Sequence, residues 1–400
     1  MKTRHFLLGI AAGLTAGYAA ARALQAAQLL KGGKPETRTR DAAEYGALRR
    51  TLALGGIARS IAGSAALAYG PVGERLERSV RGLPLWVRPA AFVAEVSVLE
   101  AIAELPVDFV EGFAVERRYG LSDQSAASWL SDHAKQSALG GAVAAVLSGI
   151  LAALLRKFPK SWPYVSSAGV FPLLLVANVV IPLYVLPLFN TYEPLTGPLE
   201  ERLRRLAARY GVGDAEILRM NMSKQTKKAN AFVIGIGNTH RIVVGDTLIE
   251  HFPDEEIEFV VAHELGHYVS RDTWRMIALG QVTAMIVLFG AFYADRSESG
   301  DALKLARLQL WATLLSQLMR PGMSAFARSR EWAADRFALE GTRAPHAGAS
   351  AFRRLRDQNL AEDEQPKWFE FMFSTHPSLK ARIQALEAAS QAETATTSHR

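Results

Sequence analysis

The sequence predicts a mainly α-helical membrane protein of about seven spans, with a metal-binding helical core and a small β-hairpin beside it. Three observations carry this. Apolar stretches lie near 6–30, 51–71, 89–113, 138–155, 168–189, 274–294 and 305–326, each close to the ~20 residues that cross a bilayer core as a helix. Residues 191–273 are instead charged, with no long apolar run. Within them, His263 and His267 stand four residues apart on a segment of helical periodicity. The chain therefore divides into an N-terminal membrane domain, 1–190, with about five spans, and a second domain, 191–400, interrupted by spans at 274–294 and 305–326.

Composition narrows the function classes. The 400 residues include 46 Lys+Arg and 39 Asp+Glu, a formal charge of +7, with 49% apolar and 21% charged residues. These values exclude a disordered or collagen-like chain. Cysteine is absent, which removes disulfides, thiol nucleophiles and thiolate metal sites. A metal must then be held by His, Asp or Glu, and only nine His are available.

Residues 6–30 follow Met1, Lys2, Thr3 and Arg4 and read as a retained span; a signal peptide is the alternative. The basic stretch Lys31, Lys34, Arg38, Arg40, Arg49 and Arg50 reads as a cytoplasmic or headgroup-facing loop. The run from 89 to 113 carries Glu95, Glu100 and Glu104 near one helix face, which must meet water or protein. That stripe either lines a water-filled chamber or pairs with Arg59 on the preceding helix. The runs 138–155 and 168–189 are cleaner spans. Residues 231–249 read as two apolar strands joined at Gly237-Asn238. Beyond 327 the chain is polar and helical, with a frayed end from Thr396 to Arg400.

Residues 263–267 read His-Glu-Leu-Gly-His. Pro253, Asp254, Glu255 and Glu256 form an acidic first helical turn, and Ile257, Val260, Val261 and Leu265 recur at helical spacing. On a helix the two histidines lie one turn apart on one face, where neutral imidazoles can grip one zinc ion. Glu264 beside them can take a proton from a metal-activated water and pass it to a leaving amine. A surface helix with two solvated histidines is the plain alternative. Zinc needs a third protein ligand. The positions where the same run could supply it hold Ser270 and Thr273, so the alternative is a Glu from a later helix. Glu331 and Asp335 are one turn apart in Arg-Ser-Arg-Glu-Trp-Ala-Ala-Asp, 328–335. Glu331 can ligate, while Asp335 accepts the far N–H of a ligand histidine and fixes its tautomer. An exposed acidic pair among Arg328, Arg330 and Arg336 remains the alternative.

These blocks together resemble the gluzincin zinc proteases of the type I CAAX prenyl protease family. Beside HELGH and Glu-Trp-Ala-Ala-Asp, similar segments are Val115–Ser125, Phe189–Leu195, Asn230–Phe232, Arg241–Leu248, and Ser374–Ser378 followed by Arg382 and Ile383. The resemblance runs from about 100 to 390. One departure is Ala327, where the family has Ser before the Arg; Arg328 itself is kept. The resemblance implies an integral-membrane zinc metalloendopeptidase with one zinc on His263, His267 and Glu331. Glu264 is its general base, and His376 hydrogen-bonds the substrate carbonyl or oxyanion. Asp335 and Arg382 brace the site, and Asn230 and Ala231 bind the peptide as a strand edge.

The expected substrates are peptides or membrane proteins of a membrane-associated or CAAX/prenylated type. A quality-control protease acting on damaged membrane proteins, or a catalytically silent scaffold, are the other readings. The expected place is the cell membrane, as a multi-pass protein in the lipid bilayer with the site on the cytoplasmic side. No nucleic-acid partner is expected, since no reading fold accompanies the basic stretch. The sequence leaves the oligomeric state open.

Overall fold

The computed structural model describes residues 38–235, 240–296 and 301–398. The expected first span, 6–30, and the strand junction at Gly237-Asn238 lie outside these residues. Helix α1 (Arg38–Tyr69) leads to a short α2 (Pro71–Ser79), then α3 (Arg88–Phe109), which runs through a π turn into α4 (Val115–Arg118). Helices α5 (Ala126–Lys157) and α6 (Trp162–Val180) complete the N-terminal half. Arg49 and Arg50 therefore sit within a helix that begins at Arg38, and not in a loop.

Among the described residues, four helical stretches are long and apolar enough to cross a membrane: Asp41–Tyr69, Ala126–Lys157, Trp162–Leu188 and Asp272–Ala294. The expected spans at 89–113 and 305–326 are helical without reaching that apolarity, so the described residues do not bring the number to seven. In α3 the three glutamates are the reason, and they divide their work. Arg59 Nε donates to Glu104 Oε2 at 2.9 Å, while Glu95 accepts from Ser79 Oγ at 2.6 Å. Glu100 and Glu104 line a cavity of about 1160 Å³ between the helices, with Phe92, Leu151 and Leu305 among its apolar walls. Pairing and cavity lining thus coexist.

The second half is built on a four-stranded sheet of β1 (Tyr192–Pro194), β2 (Glu216–Met220), β3 (Ala231–Ile234) and β4 (Arg241–Gly245), in the order β1-β2-β4-β3. β2 and β4 are parallel, and β3 is antiparallel to β4 with Ala231 opposite Val244. β3 is an edge strand. The second apolar strand ends earlier than 249: Asp246–His251 is helical. The Asp246 carboxylate accepts the backbone N–H groups of Thr247 and Ser223, which turns the chain out of the sheet.

α7 (Pro198–Arg209), α8 (Asp246–His251), α9 (Asp254–Val269), α12 (Pro345–Gln358) and α14 (Leu379–Ser398) surround the sheet. Leu203, Leu206, Ile242, Val244, Ile257, Phe259, Leu265, Ala338 and Phe352 form their shared core. Each large side chain so buried contributes roughly 1.5–3 kcal/mol. α10 (Asp272–Ala294) and the 42-residue α11 (Asp301–Thr342) carry the chain away from this core and back, and α13 (Lys367–Phe373) lies against α11.

Two glycines set the distance between the helices that matter. A Cβ on Gly266 of α9 would stand 3.2 Å from Ala334 Cα of α11, and one on Gly348 of α12 would stand 2.5 Å from the Phe259 ring of α9. Gly266 thus lets the two helices that carry His263, His267 and Glu331 pack closely, and Gly348 makes room for the Phe259 ring beneath them.

Candidate metal centre

α9 begins at Pro253, with Asp254, Glu255 and Glu256 in its first turn, where the helix dipole favours anions. Its buried face carries His263, while His267 is partly exposed one turn later. α11 returns from the membrane segment to lay Glu331 against both. His263 Nε2 is 3.4 Å from Glu331 Oε2, and His267 Nε2 is 3.3 Å from Glu331 Oε1. One donor atom from each of the three residues lies within 4.8 Å of the others.

The donor set fits a metal. Two imidazole nitrogens and one carboxylate oxygen are ligands that zinc accepts. Glu331 Oε2 is buried and makes no hydrogen bond of regular geometry; its nearest partners are His263 Nε2 at 3.4 Å and Arg382 Nη1 at 3.5 Å, and a buried carboxylate so loosely met suits a further cation. Both imidazoles are already turned for the task. His263 Nδ1 lies 2.9 Å from Asp335 Oδ1 and His267 Nδ1 lies 3.0 Å from Asp272 Oδ2. Each Nδ1 is thus occupied by a carboxylate, which directs each Nε2 toward Glu331.

Asp335 is held in turn by Arg382, whose Nε and Nη2 donate to its two oxygens at 2.7 and 2.5 Å. The Arg382 guanidinium lies over the Phe352 ring at 4.1 Å and is buried. Asp272 is the partner that sequence reasoning missed. It follows Arg271, whose φ of 55° is left-handed. This kink ends α9 and brings the first residue of α10 back beside His267. Arg330 Nε and Arg275 Nη1 donate to Asp272 Oδ1 at 2.6 and 3.1 Å.

Electrostatics follow from these contacts. Burial depresses the His263 imidazole, but the hydrogen bonds to Asp335 and Glu331 outweigh it and hold its pKa at about 9. Burial opposes ionisation of Glu331 and Asp335 as well. Their hydrogen bonds, from His263 and His267 to Glu331 and from His263 and Arg382 to Asp335, win and keep both below the usual carboxylate range. Burial raises the Glu264 carboxyl, and the neighbouring histidines offset this only in part. Glu264 is thereby a better proton acceptor than a surface glutamate.

His376 lies at the rim, exposed, with Nε2 3.4 Å from Glu331 Oε1. The segment carrying it is anchored by Arg328, whose Nη1 donates to the carbonyls of Glu370 and Ser374 at 2.7 Å each. Ala229, Asn230 and Ala231 line the same cavity of about 660 Å³ as His263, Glu264, Glu331 and His376. Asn359 grips the residue before this edge: its Oδ1 accepts the Ala229 N–H at 2.8 Å, and its Nδ2 donates to the Ala229 carbonyl at 3.2 Å. Asn359 and the anchoring role of Arg328 have no periodic signal that would single them out. All nine residues named from the sequence meet around this cavity or directly behind it.

Fold and site together define an integral-membrane metalloprotease. The model of Peptidase family M48 matches residues 194–390, and that of the CAAX prenyl protease N-terminal region, with five membrane helices, matches residues 38–191. A CAAX prenyl protease 1 homolog of Arabidopsis thaliana is 30% identical over 318 residues, 74% of this chain and 73% of that protein. The uncharacterized metalloprotease YhfN of Bacillus subtilis is 27% identical over 319 residues, 76% of this chain and 74% of its own. The fold matches the crystal structure of S. mikatae Ste24p with a TM-score of 0.79 at 19% identity, covering 96% of this chain and 99% of that one. The chain belongs to the type I CAAX prenyl protease family.

Proposed function

We propose that the chain is a zinc metalloendopeptidase that cleaves membrane-associated peptides of the CAAX or prenylated type. The observation that carries the zinc assignment is the triad of His263, His267 and Glu331, with each imidazole pinned through Nδ1 by an aspartate. When bound, zinc acidifies water and polarises a carbonyl. The chain's own residues do the rest. The edge strand at Asn230 and Ala231 lays out an extended peptide through main-chain hydrogen bonds. Glu264 accepts the proton of the attacking water and delivers it to the leaving amine. His376 donates to the carbonyl oxygen as charge builds there. Asp335 and Arg382 hold His263 in place.

The substrate class rests on relatives named CAAX prenyl protease 1 in yeast, rice and Arabidopsis, which align with about three quarters of this chain at 25–30% identity. The division near residue 190 into a membrane domain and a metalloprotease domain is supported by the two family models, which end at 191 and begin at 194. The site faces the cytoplasm, in the cell membrane, by the charge of the 31–50 segment. Comparing the membrane proteome of cells carrying wild-type or Glu264→Gln protein tests the reading. C-terminally truncated proteins that appear only with the wild type support it; identical termini in both sets overturn it.

A further inference from the structure

We infer that Arg49 of α1 forms a binding site for the free C-terminal carboxylate of the substrate, at the end of the metal-site cavity. This rests on the proteolytic reading above and adds a rule of specificity to it.

The cavity extends well beyond the metal ligands. Its walls include Ala229, Asn230 and Ala231 but not the rest of β3, and they continue to Tyr45, Arg49 and Arg50 on α1. Tyr45 Oη accepts from Lys228 Nζ at 2.8 Å, so α1 closes the cavity where the chain enters β3. A peptide added antiparallel to β3, the better-bonded arrangement, runs toward Lys228 as it goes from its N- to its C-terminus. Residues before the scissile bond then lie along β3, and residues after it head for α1. From Ala231 back to Lys228 is about 10 Å of extended chain. A substrate with only a few residues beyond the scissile bond therefore ends against α1.

Charge at that wall favours an anion. Arg50 is paired with Glu362. Glu116 accepts from Tyr45 Oη at 2.5 Å and from Lys228 Nζ at 2.8 Å, while Arg49 stands 3.9 Å away from it. Arg49, Arg50 and Lys228 thus face Glu116 and Glu362, the nearby Glu111 carboxylate being taken by Arg59 at 3.4 Å, and among the described residues Arg49 has no carboxylate to itself. Its contacts run through Nη1, which donates to the Glu111 carbonyl at 3.1 Å. Among the described residues Nε and Nη2 are left to form the paired hydrogen bonds that a guanidinium makes with a carboxylate. Its side chain is 45% exposed, so a ligand can reach it.

The test uses full-length protein in nanodiscs carrying Glu264→Gln, so that peptide is held without turnover. It is titrated with zinc present, using a fluorescent octapeptide with a free C-terminus and the same octapeptide as its C-terminal amide. The acid is expected to bind about 10–100-fold more tightly, the range of charge-assisted hydrogen bonding. Adding Arg49→Gln brings the acid-to-amide ratio to about one, and Arg49→Lys restores part of it. Equal affinities before Arg49 is changed, equal losses for acid and amide after it, or no binding of either peptide overturn the assignment. Failure of the underlying reading looks different: Glu264→Gln protein that still hydrolyses the octapeptide removes the proposed catalysis and leaves the acid-to-amide ratio as a separate result.

Discussion

The two metal-facing histidines are oriented by the same device placed in different surroundings. His263 is buried, and its partner Asp335 is locked by Arg382, which is itself buried against Phe352. His267 is partly exposed, and its partner Asp272 is the first residue of a membrane span, held by Arg330 and by Arg275, which is half exposed. One imidazole is therefore fixed by the globular core and the other by the head of a span. The difference separates two failure modes. Damage on the His263 side strikes the metal and the fold together, whereas damage on the His267 side strikes the metal and largely spares the core.

The largest expected effect is on the buried side. Asp335→Ala removes the hydrogen bond to His263 and strips Arg382 of its bidentate partner. Breaking one side of a buried pair costs about 3–5 kcal/mol, and loss of a carboxylate behind a ligand histidine lowers metal affinity about 10–100-fold. Thermal unfolding and chelator competition on the same variant should both register the change. Asp272→Ala should lower zinc affinity over the same range while shifting the unfolding midpoint less, because the two arginines it leaves behind, Arg275 and Arg330, reach water more readily than the buried Arg382. Equal destabilisation by the two alanine variants would erase the distinction between core and span. The smallest effect belongs to the kink itself. Arg271 holds a left-handed conformation that costs a non-glycine residue about 1–2 kcal/mol. Arg271→Gly should be neutral or stabilise by up to about 1 kcal/mol with zinc affinity kept, and Arg271→Val should lower both.

Much of the centre was legible because it lies on helices. The one-turn spacings of His263 with His267 and of Glu331 with Asp335 survive folding unchanged, so period alone places them on common faces. Asp272 was not legible, since the left-handed residue before it breaks the period that such reading depends on. Asn359 and Arg328 act across more than forty residues of sequence, each through a pair of hydrogen bonds to backbone groups that leave no pattern. Arg49 was visible as charge but was read as part of a loop, because a basic cluster at a membrane boundary looks the same whether it turns or continues as helix. The membrane half shows the complementary weakness. Apolar length identifies 138–155 and 168–189 without ambiguity, yet Glu95, Glu100 and Glu104 belong to a helix whose partners lie on other helices. The segment 246–249 was apolar enough for a strand. It is instead the start of a helix, whose first residue, Asp246, accepts the Thr247 N–H and ties the helix to the Ser223 backbone N–H on another segment.

The central claim is that the two braced histidines and Glu331 hold a zinc ion for which Glu264 is the base. It is tested most directly by measuring zinc content and peptide turnover together on purified Glu264→Gln protein. The amide is nearly isosteric with the acid and cannot accept the proton of the attacking water. One zinc per chain is expected, as in the wild type, with turnover lower by about 10²–10⁴-fold, the usual loss when a general base is removed. Zinc lost with the substitution would make Glu264 part of the metal's support, and turnover near the wild-type rate would remove it from the chemistry.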